Sequence, residues 1–255
     1  MVLWGFLASL GAGLMTAVGA LAVLFGREVS RRTNDMMLGF AAGVMISASF
    51  FSLILPGIAR GEEIYGSTPV AALMAGLGIA LGAFVVAQIN RWVPHEHFIT
   101  GPEGADPGAL SKLWLFILAI TIHNFPEGMA VGIGFGGGDV TNGLSLATGI
   151  GLQNAPEGLA VAVALRGQGY GRLRSVWIAT LTGLVEPVGG LIGVAGVTVS
   201  VWVLPVGLSF AAGAMLYIIS HEIIPETHRY GHQNRATTGL IAGLILMMLL
   251  DVTLG

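Results

Sequence analysis

The sequence contains no cysteine, which excludes disulfides, thiolate nucleophiles and sulfur-ligated metal centres. Charge is nearly as scarce. Only 10% of the 255 residues are Asp, Glu, Lys or Arg, against about 25% in an ordinary soluble domain. The net charge of −3 sits almost wholly in connections between apolar runs, and the short connections leave no room for a signalling or nucleic-acid-binding module. The first apolar block also lacks the basic start and small-residue cleavage pattern of a signal peptide, so it reads as a retained helix.

What the chain does have is apolar length. Hydrophobic residues make up 54%, and 40 residues are glycine. The apolar residues fall in blocks of roughly 20, enough for a helix to cross a bilayer, and abundant Gly and Ala suit helices packed backbone to backbone. The expected fold is an all-α polytopic membrane protein, one transmembrane unit over residues 1–255. Eight spans are predicted at about 3–24, 36–58, 69–90, 113–135, 142–165, 174–196, 202–223 and 237–254. Gly196 and Pro205 are the only clear punctuation between spans six and seven. The longest connection, 91–112, is rich in Gly and Pro and is predicted to be a mobile cytoplasmic loop.

Ten of the eleven basic residues fall in alternate connections: Arg27, Arg31, Arg32; Arg91, Lys112; Arg166, Arg172, Arg174; Arg229, Arg235. Only Arg60 lies on the other side. The positive-inside rule then makes those connections cytoplasmic and both termini extracytoplasmic.

Against this background, carboxylates at membrane depth are conspicuous. Glu127, Glu157 and Glu186 fall near the middle of spans four, five and six, and Glu222 near the cytoplasmic end of span seven. Each costs about 2.5–3.5 kcal/mol on insertion scales, on the order of 10 kcal/mol together. No Lys or Arg lies in any span core, so these groups are either protonated or share a cation.

Spacing sharpens the second option. In TIHNFPEGMAVGIG (121–134), His123 and Glu127 lie four apart on one helix face, and Asn124 and Glu127 three apart. GLQNAPEGLAVAVAL (151–165) repeats the device with Gln153, Asn154 and Glu157. Imidazole nitrogen and carboxylate oxygen suit Zn²⁺, Fe²⁺ or Mn²⁺ where sulfur is absent, and the amide oxygens add neutral ligands. Pro126 and Pro156 free the carbonyls of Ile122 and Leu152 from helical bonding, as broken helices do in carriers. Glu186-Pro187 pairs carboxylate and distortion in the same way. Consecutive spans run in opposite directions, so two similar half-sites on them fit an inverted-repeat transporter.

Each element has a plainer reading. Intramembrane His or Asn can be interhelical glue, Pro a simple kink, and small residues a packing surface. Two copies of N-x-P-E-G, a third buried Glu and no counter-charge favour a cation site. From there a polar trail runs inward through His221, Glu222, Glu226, His228, His232 and Asp35. His95 and His97 in the long loop form either a transient metal site or an ordinary solvated segment. Ser47, Ser49 and Ser52 give span two a polar texture, with Met45 deeper, although a single serine often bonds only to its own helix.

HNFPEG, QNAPEG, the span-six Glu-Pro and SHEIIPETH together resemble the ZIP (Zrt/Irt-like) metal transporters, nearest to the bacterial GufA-like branch. The likeness covers essentially the whole chain. It implies import of divalent transition metal into the cytosol: zinc chiefly, with iron, manganese and cadmium as further candidates. It implies His123, Asn124, Glu127, Gln153, Asn154, Glu157 and Glu186 as metal ligands. Some members hold two adjacent metals bridged by carboxylates, a role that would fall to Glu127 and Glu157; several have Asp where this chain has Asn154, which bears on the second metal alone. The resemblance also implies His221, Glu222 and Asp35 on the inner exit route, Met45 and Ser52 on the outer path, a homodimer, and spans four and five moving against a scaffold. The cytoplasmic (inner) membrane is the expected location, and no catalytic cofactor is expected.

The rival readings are a membrane-embedded metallohydrolase and a metal-selective channel. The first lacks H-E-x-x-H, since Pro225 stands where the second His would be after His221-Glu222. The second would show flux that neither saturates nor depends on rearrangement of spans four and five.

Overall fold

The computed structural model describes residues 1–25, 30–92, 95–97, 101–103, 112–200 and 202–254. It is helical throughout apart from one short antiparallel pair. Among the described residues, six stretches are long and apolar enough to cross a membrane by length and composition: α1 (Val2–Phe25), α2 (Arg31–Tyr65), α3 (Thr68–Trp92), α6 (Arg172–Val199), α7 (Val203–His228) and the stretch Gln233–Thr253 of α8 (Gln233–Leu254). The two motif-bearing helices, α4 (Lys112–Gly136) and α5 (Val140–Gly167), have 25 and 28 residues, about 37 and 42 Å of helix. In the loop, β1 (His95–His97) pairs with β2 (Gly101–Glu103), His95 opposite Glu103.

Local chemistry sets the helix ends. The Ser30 hydroxyl accepts from the Thr33 amide at 3.2 Å and starts α2; Asp139 Oδ1 accepts from the Asn142 amide at 3.0 Å and starts α5. Both satisfy donors that a helix N-terminus leaves open. α2 stops at Gly66, which takes φ +68.

Three helices are irregular inside. α6 breaks at Leu184-Val185 and restarts at Glu186-Pro187, which places Glu186 in the first turn of the second half, where the helix end favours negative charge. α2 widens over Ala48–Ile54 just before Pro56, and α7 over Ile219–Ile223 just before Pro225. Such wide turns absorb the donor that proline removes, and they gather at functional sites.

The tightest helix pairs are α1 with α5, α4 with α6, α2 with α8, and α3 with α7. The set maps onto itself when α1, α2 and α3 are exchanged with α6, α7 and α8, and α4 with α5. The sequence repeats accordingly. GLMTAVG (13–19) in α1 matches GLVEPVG (183–189) in α6; FAAGVM (40–45) in α2 matches FAAGAM (210–215) in α7; LMAGL (73–77) in α3 matches LIAGL (240–244) in α8.

Contacts sort the connections to two ends of the bundle. At one end, Arg172 donates to Leu24 O at 3.4 Å, the Arg31 guanidinium lies 4.4 Å over the Tyr230 ring, and Trp114 meets Tyr170 edge-on. At the other, Arg60 pairs with Asp139 at 3.7 Å and Tyr65 lies against Trp202. The core between them is built largely of Val, Ile, Leu, Met and Ala, including Met45, Phe135, Leu146, Ile150 and Met215.

Candidate metal site

The glycine of each N-x-P-E-G copy is dictated by packing. A side chain at Gly128 would overlap the backbone of Glu186 on α6, and one at Gly158 the backbone of Thr16 on α1. Only glycine lets α4 approach α6, and α5 approach α1, so closely. That approach carries their polar residues into the interior. His123, Asn124, Glu127, Gln153, Asn154, Glu157 and Glu186 are all buried, none more than 3% exposed.

Hydrogen bonds tie this layer together across helices. Gln153 Nε2 donates to Glu127 Oε1 at 2.7 Å, joining α5 to α4. Asn154 Nδ2 donates to Glu186 Oε1 at 2.6 Å and to the Ala12 carbonyl at 2.9 Å, joining α5 to α6 and α1. Glu157 lies close enough to act electrostatically on His123, Glu127 and Glu186. Many buried polar atoms here lack a hydrogen-bond partner: both oxygens of Glu157, Oε2 of Glu127 and of Glu186, Oε1 of Gln153, Oδ1 of Asn154, the whole amide of Asn124, and both ring nitrogens of His123, of which Nε2 is in ion-pair contact with Glu222. Burying such groups without partners costs about 1–3 kcal/mol each, more when charged, so their concentration in one layer asks for a further occupant. Among the described residues, no three of His, Asp and Glu stand close enough to hold one ion as they are.

The residues of the inner trail divide into three places. Glu222 reaches the layer itself: its Oε2 pairs with His123 Nε2, and its Oε1 accepts from Asn90 Nδ2 at 2.9 Å. His221 stacks on Tyr217 instead, ring centroids 5.1 Å apart. Asp35, buried at the start of α2, pairs with His232 Nδ1 at 2.7 Å, in the same helix turn that carries the Arg31–Tyr230 contact. His95 and His97 are described in backbone only.

On the opposite side of the layer, Ser49 bonds back to Met45 O at 2.8 Å, while Ser52 donates to Asp251 Oδ1 at 2.5 Å. Ser145 of α5 donates to the same oxygen at 2.7 Å, and Asp251 Oδ2 is buried without a hydrogen-bond partner. Met45 is fully buried.

Asp251 and Asn90 are absent from the residues singled out in the sequence. Asp251 carries a signal that could have found it, since a carboxylate inside GLILMMLLDVTLG meets the same criterion as Glu127. Asn90 ends an apolar span, and nothing in its neighbourhood separates it from an ordinary helix terminus.

A buried layer of His, Glu and amide side chains thus lies at the centre of an apolar helical bundle whose helices are long enough to cross a membrane. Comparison with known proteins identifies the group. The pattern of the ZIP zinc transporter family matches residues 99–251. The chain is 47% identical to zinc transporter GufA of Myxococcus xanthus, over 98% of this chain and 99% of that protein. It is 49% identical to zinc transporter ZIPB of Bordetella bronchiseptica, over 94% of this chain and 78% of that one, and 34% identical to human zinc transporter ZIP11, over 94% of each. The chain belongs to the ZIP family, whose members are transporters and not enzymes.

Proposed function

We propose that this protein carries divalent transition metal, zinc first, through the membrane into the cytosol, by alternating access. The observation that supports it most is the set of buried nitrogen and oxygen donors without hydrogen-bond partners, drawn from the paired motifs and Glu186. In this reading all eight helices span the cytoplasmic membrane, with both termini outside. The repeat of α1–α3 in α6–α8 supports an inverted arrangement, because each helix stands five places before its counterpart in the chain, with four spans between them, so that the two run in opposite directions.

The cation enters past Ser52, Ser145 and Asp251, beside Met45. It displaces the amide donors from Glu127 and Glu186 and takes ligands from His123, Asn124, Glu127, Gln153, Glu157 and Glu186. Asn154, whose nitrogen is engaged with Glu186 and Ala12, offers only a neutral oxygen, so one cation is the expected load and a second adjacent one binds weakly. Release follows the inner trail by His221, Asp35 and His232. Iron, manganese and cadmium are rival cargoes with compatible ligand chemistry. The homodimer remains the expected assembly, and His95 and His97 a loop site for metal.

Zinc uptake into liposomes holding the purified protein tests this reading. Saturable uptake by the wild type, lost in His123→Ala and Glu127→Gln, is the expected result. Uptake unchanged in both variants makes the paired motifs packing devices.

A further inference from the structure

We infer that Asn90 and Glu222 are positioning residues for His123: Asn90 orients Glu222, and Glu222 holds the imidazole by Nε2, leaving Nδ1 as the nitrogen offered to the cation. The inference rests on the carrier reading above and gives Glu222 a part different from that of an exit ligand.

The contacts run through three helices. Asn90, on α3, is 1% exposed, and its Nδ2 donates to Glu222 Oε1 at 2.9 Å. Glu222, on α7 and 6% exposed, turns its second oxygen to His123 Nε2 on α4. Both carboxylate oxygens are therefore engaged.

Neither ring nitrogen of His123 makes a hydrogen bond, but Nε2 is in ion-pair contact with Glu222 whereas Nδ1 is buried with no such contact, and Glu157 acts electrostatically on the same ring. An imidazole that binds metal through one nitrogen almost always gives its other N–H to a carboxylate or carbonyl, which fixes ring orientation and raises ligand basicity. The order Asn90, Glu222, His123 sets a carboxylate against Nε2 in that supporting position.

The identity of residue 90 fits the part. An amide donor satisfies Glu222 Oε1 without adding negative charge, whereas an acid there would repel Glu222. Backbone irregularity fits too, since Glu222 lies in the wide turn Ile219–Ile223, immediately before Pro225. That turn sets where on α7 the carboxylate emerges. Beside Asn90, Ile89 and Val86 of α3 line an open apolar groove with Ile122, Phe125 and Pro126 of α4 and Val185 of α6.

Equilibrium zinc binding to the full-length protein in detergent separates the possibilities. Glu222→Ala is expected to weaken zinc affinity by about 10–100-fold, the usual effect of removing such a supporting group. Asn90→Ala is expected to weaken it less, and to have no further effect in a Glu222→Ala background. Glu222→Gln, whose amide oxygen still accepts from the ring, is expected to recover most of the loss. Unchanged affinity in Glu222→Ala, with loss in His123→Ala, overturns the positioning role and leaves the carrier site standing. Unchanged affinity in His123→Ala defeats the site itself and this inference with it. A second readout needs no zinc. The ¹⁵N-histidine spectrum of the metal-free protein, with His123 assigned by His123→Ala, is expected to show its ring resonances displaced in both Glu222→Ala and Asn90→Ala. Resonances that stay in place refute the arrangement, whatever the binding data.

Discussion

Replacing Asn154 by Asp exchanges one nitrogen for one oxygen and reverses the character of the site. In the wild type, Asn154 Nδ2 donates to Glu186 Oε1 at 2.6 Å and to Ala12 O at 2.9 Å. An ionised Asp donates neither bond. A neutral hydrogen bond contributes about 1 kcal/mol and one to a charged group about 1.5–3, so the direct loss is roughly 2.5–4 kcal/mol. Two carboxylates then face each other in the interior, which adds repulsion unless one takes up a proton. A divalent cation between them changes the sign. Zinc at a hundredfold excess over its dissociation constant stabilises the folded state by about 2.7 kcal/mol, and the variant offers it an extra anionic ligand. Thermal unfolding in detergent, followed by fluorescence of the five tryptophans, measures both effects. Without zinc, Asn154→Asp is expected to melt well below the wild type; with zinc, the gap is expected to narrow or reverse. A metal-free variant as stable as the wild type refutes the assigned role of the amide.

Other perturbations probe the same architecture. Gly128→Ala and Gly158→Ala force side chains into the backbones of Glu186 and Thr16; overpacking costs about 1–3 kcal/mol, so the yield of monodisperse protein should drop, while Gly167→Ala, with open space around it, should leave yield unchanged. Asp251→Asn removes the carboxylate that Ser52 and Ser145 support and is expected to raise the KM for zinc uptake severalfold, with the melting temperature little changed. Arg60→Ala breaks exposed pairs with Glu63 at 3.0 Å and Asp139 at 3.7 Å; such pairs contribute about 0–1 kcal/mol, and uptake at saturating zinc should match the wild type. Because ligation needs neutral His and ionised Glu, apparent zinc affinity is expected to fall as the medium is acidified; an affinity that rises with acidification contradicts the ligand set.

The helical membrane class is readable from the sequence because it rests on sums. Apolar blocks of bilayer length and a near absence of charge are properties of whole segments, and no single side chain can spoil them. The family is readable for another reason: the spacing within HNFPEG and QNAPEG is local, and helix geometry converts it directly into one face. Contacts between distant segments are harder. Nothing near Asn90 or Glu222 announces that they meet, since 132 positions separate them and only the pairing of α3 with α7 brings them together. The Glu222 pair with His123 is equally remote, which is why the sequence suggests a route for Glu222 and the structure shows a contact. The break in α6 at Leu184-Val185 was within reach through Pro187, but the wide turns of α2 and α7 were not, because proline in a helix permits several local solutions. The internal repeat is a different case. FAAG at 40–43 and again at 210–213 is plain in the sequence, and it gains meaning only once α2 and α7 are seen in equivalent pairings.

Zinc-edge anomalous diffraction from crystals of the zinc-loaded protein locates the ion itself. Zinc is expected in the buried layer between α4, α5 and α6, at about 2.0–2.2 Å from a His123 nitrogen and from Glu127 and Glu157 oxygens. Zinc found only in loops or at helix ends, with that layer still held by its amide hydrogen bonds, contradicts that placement.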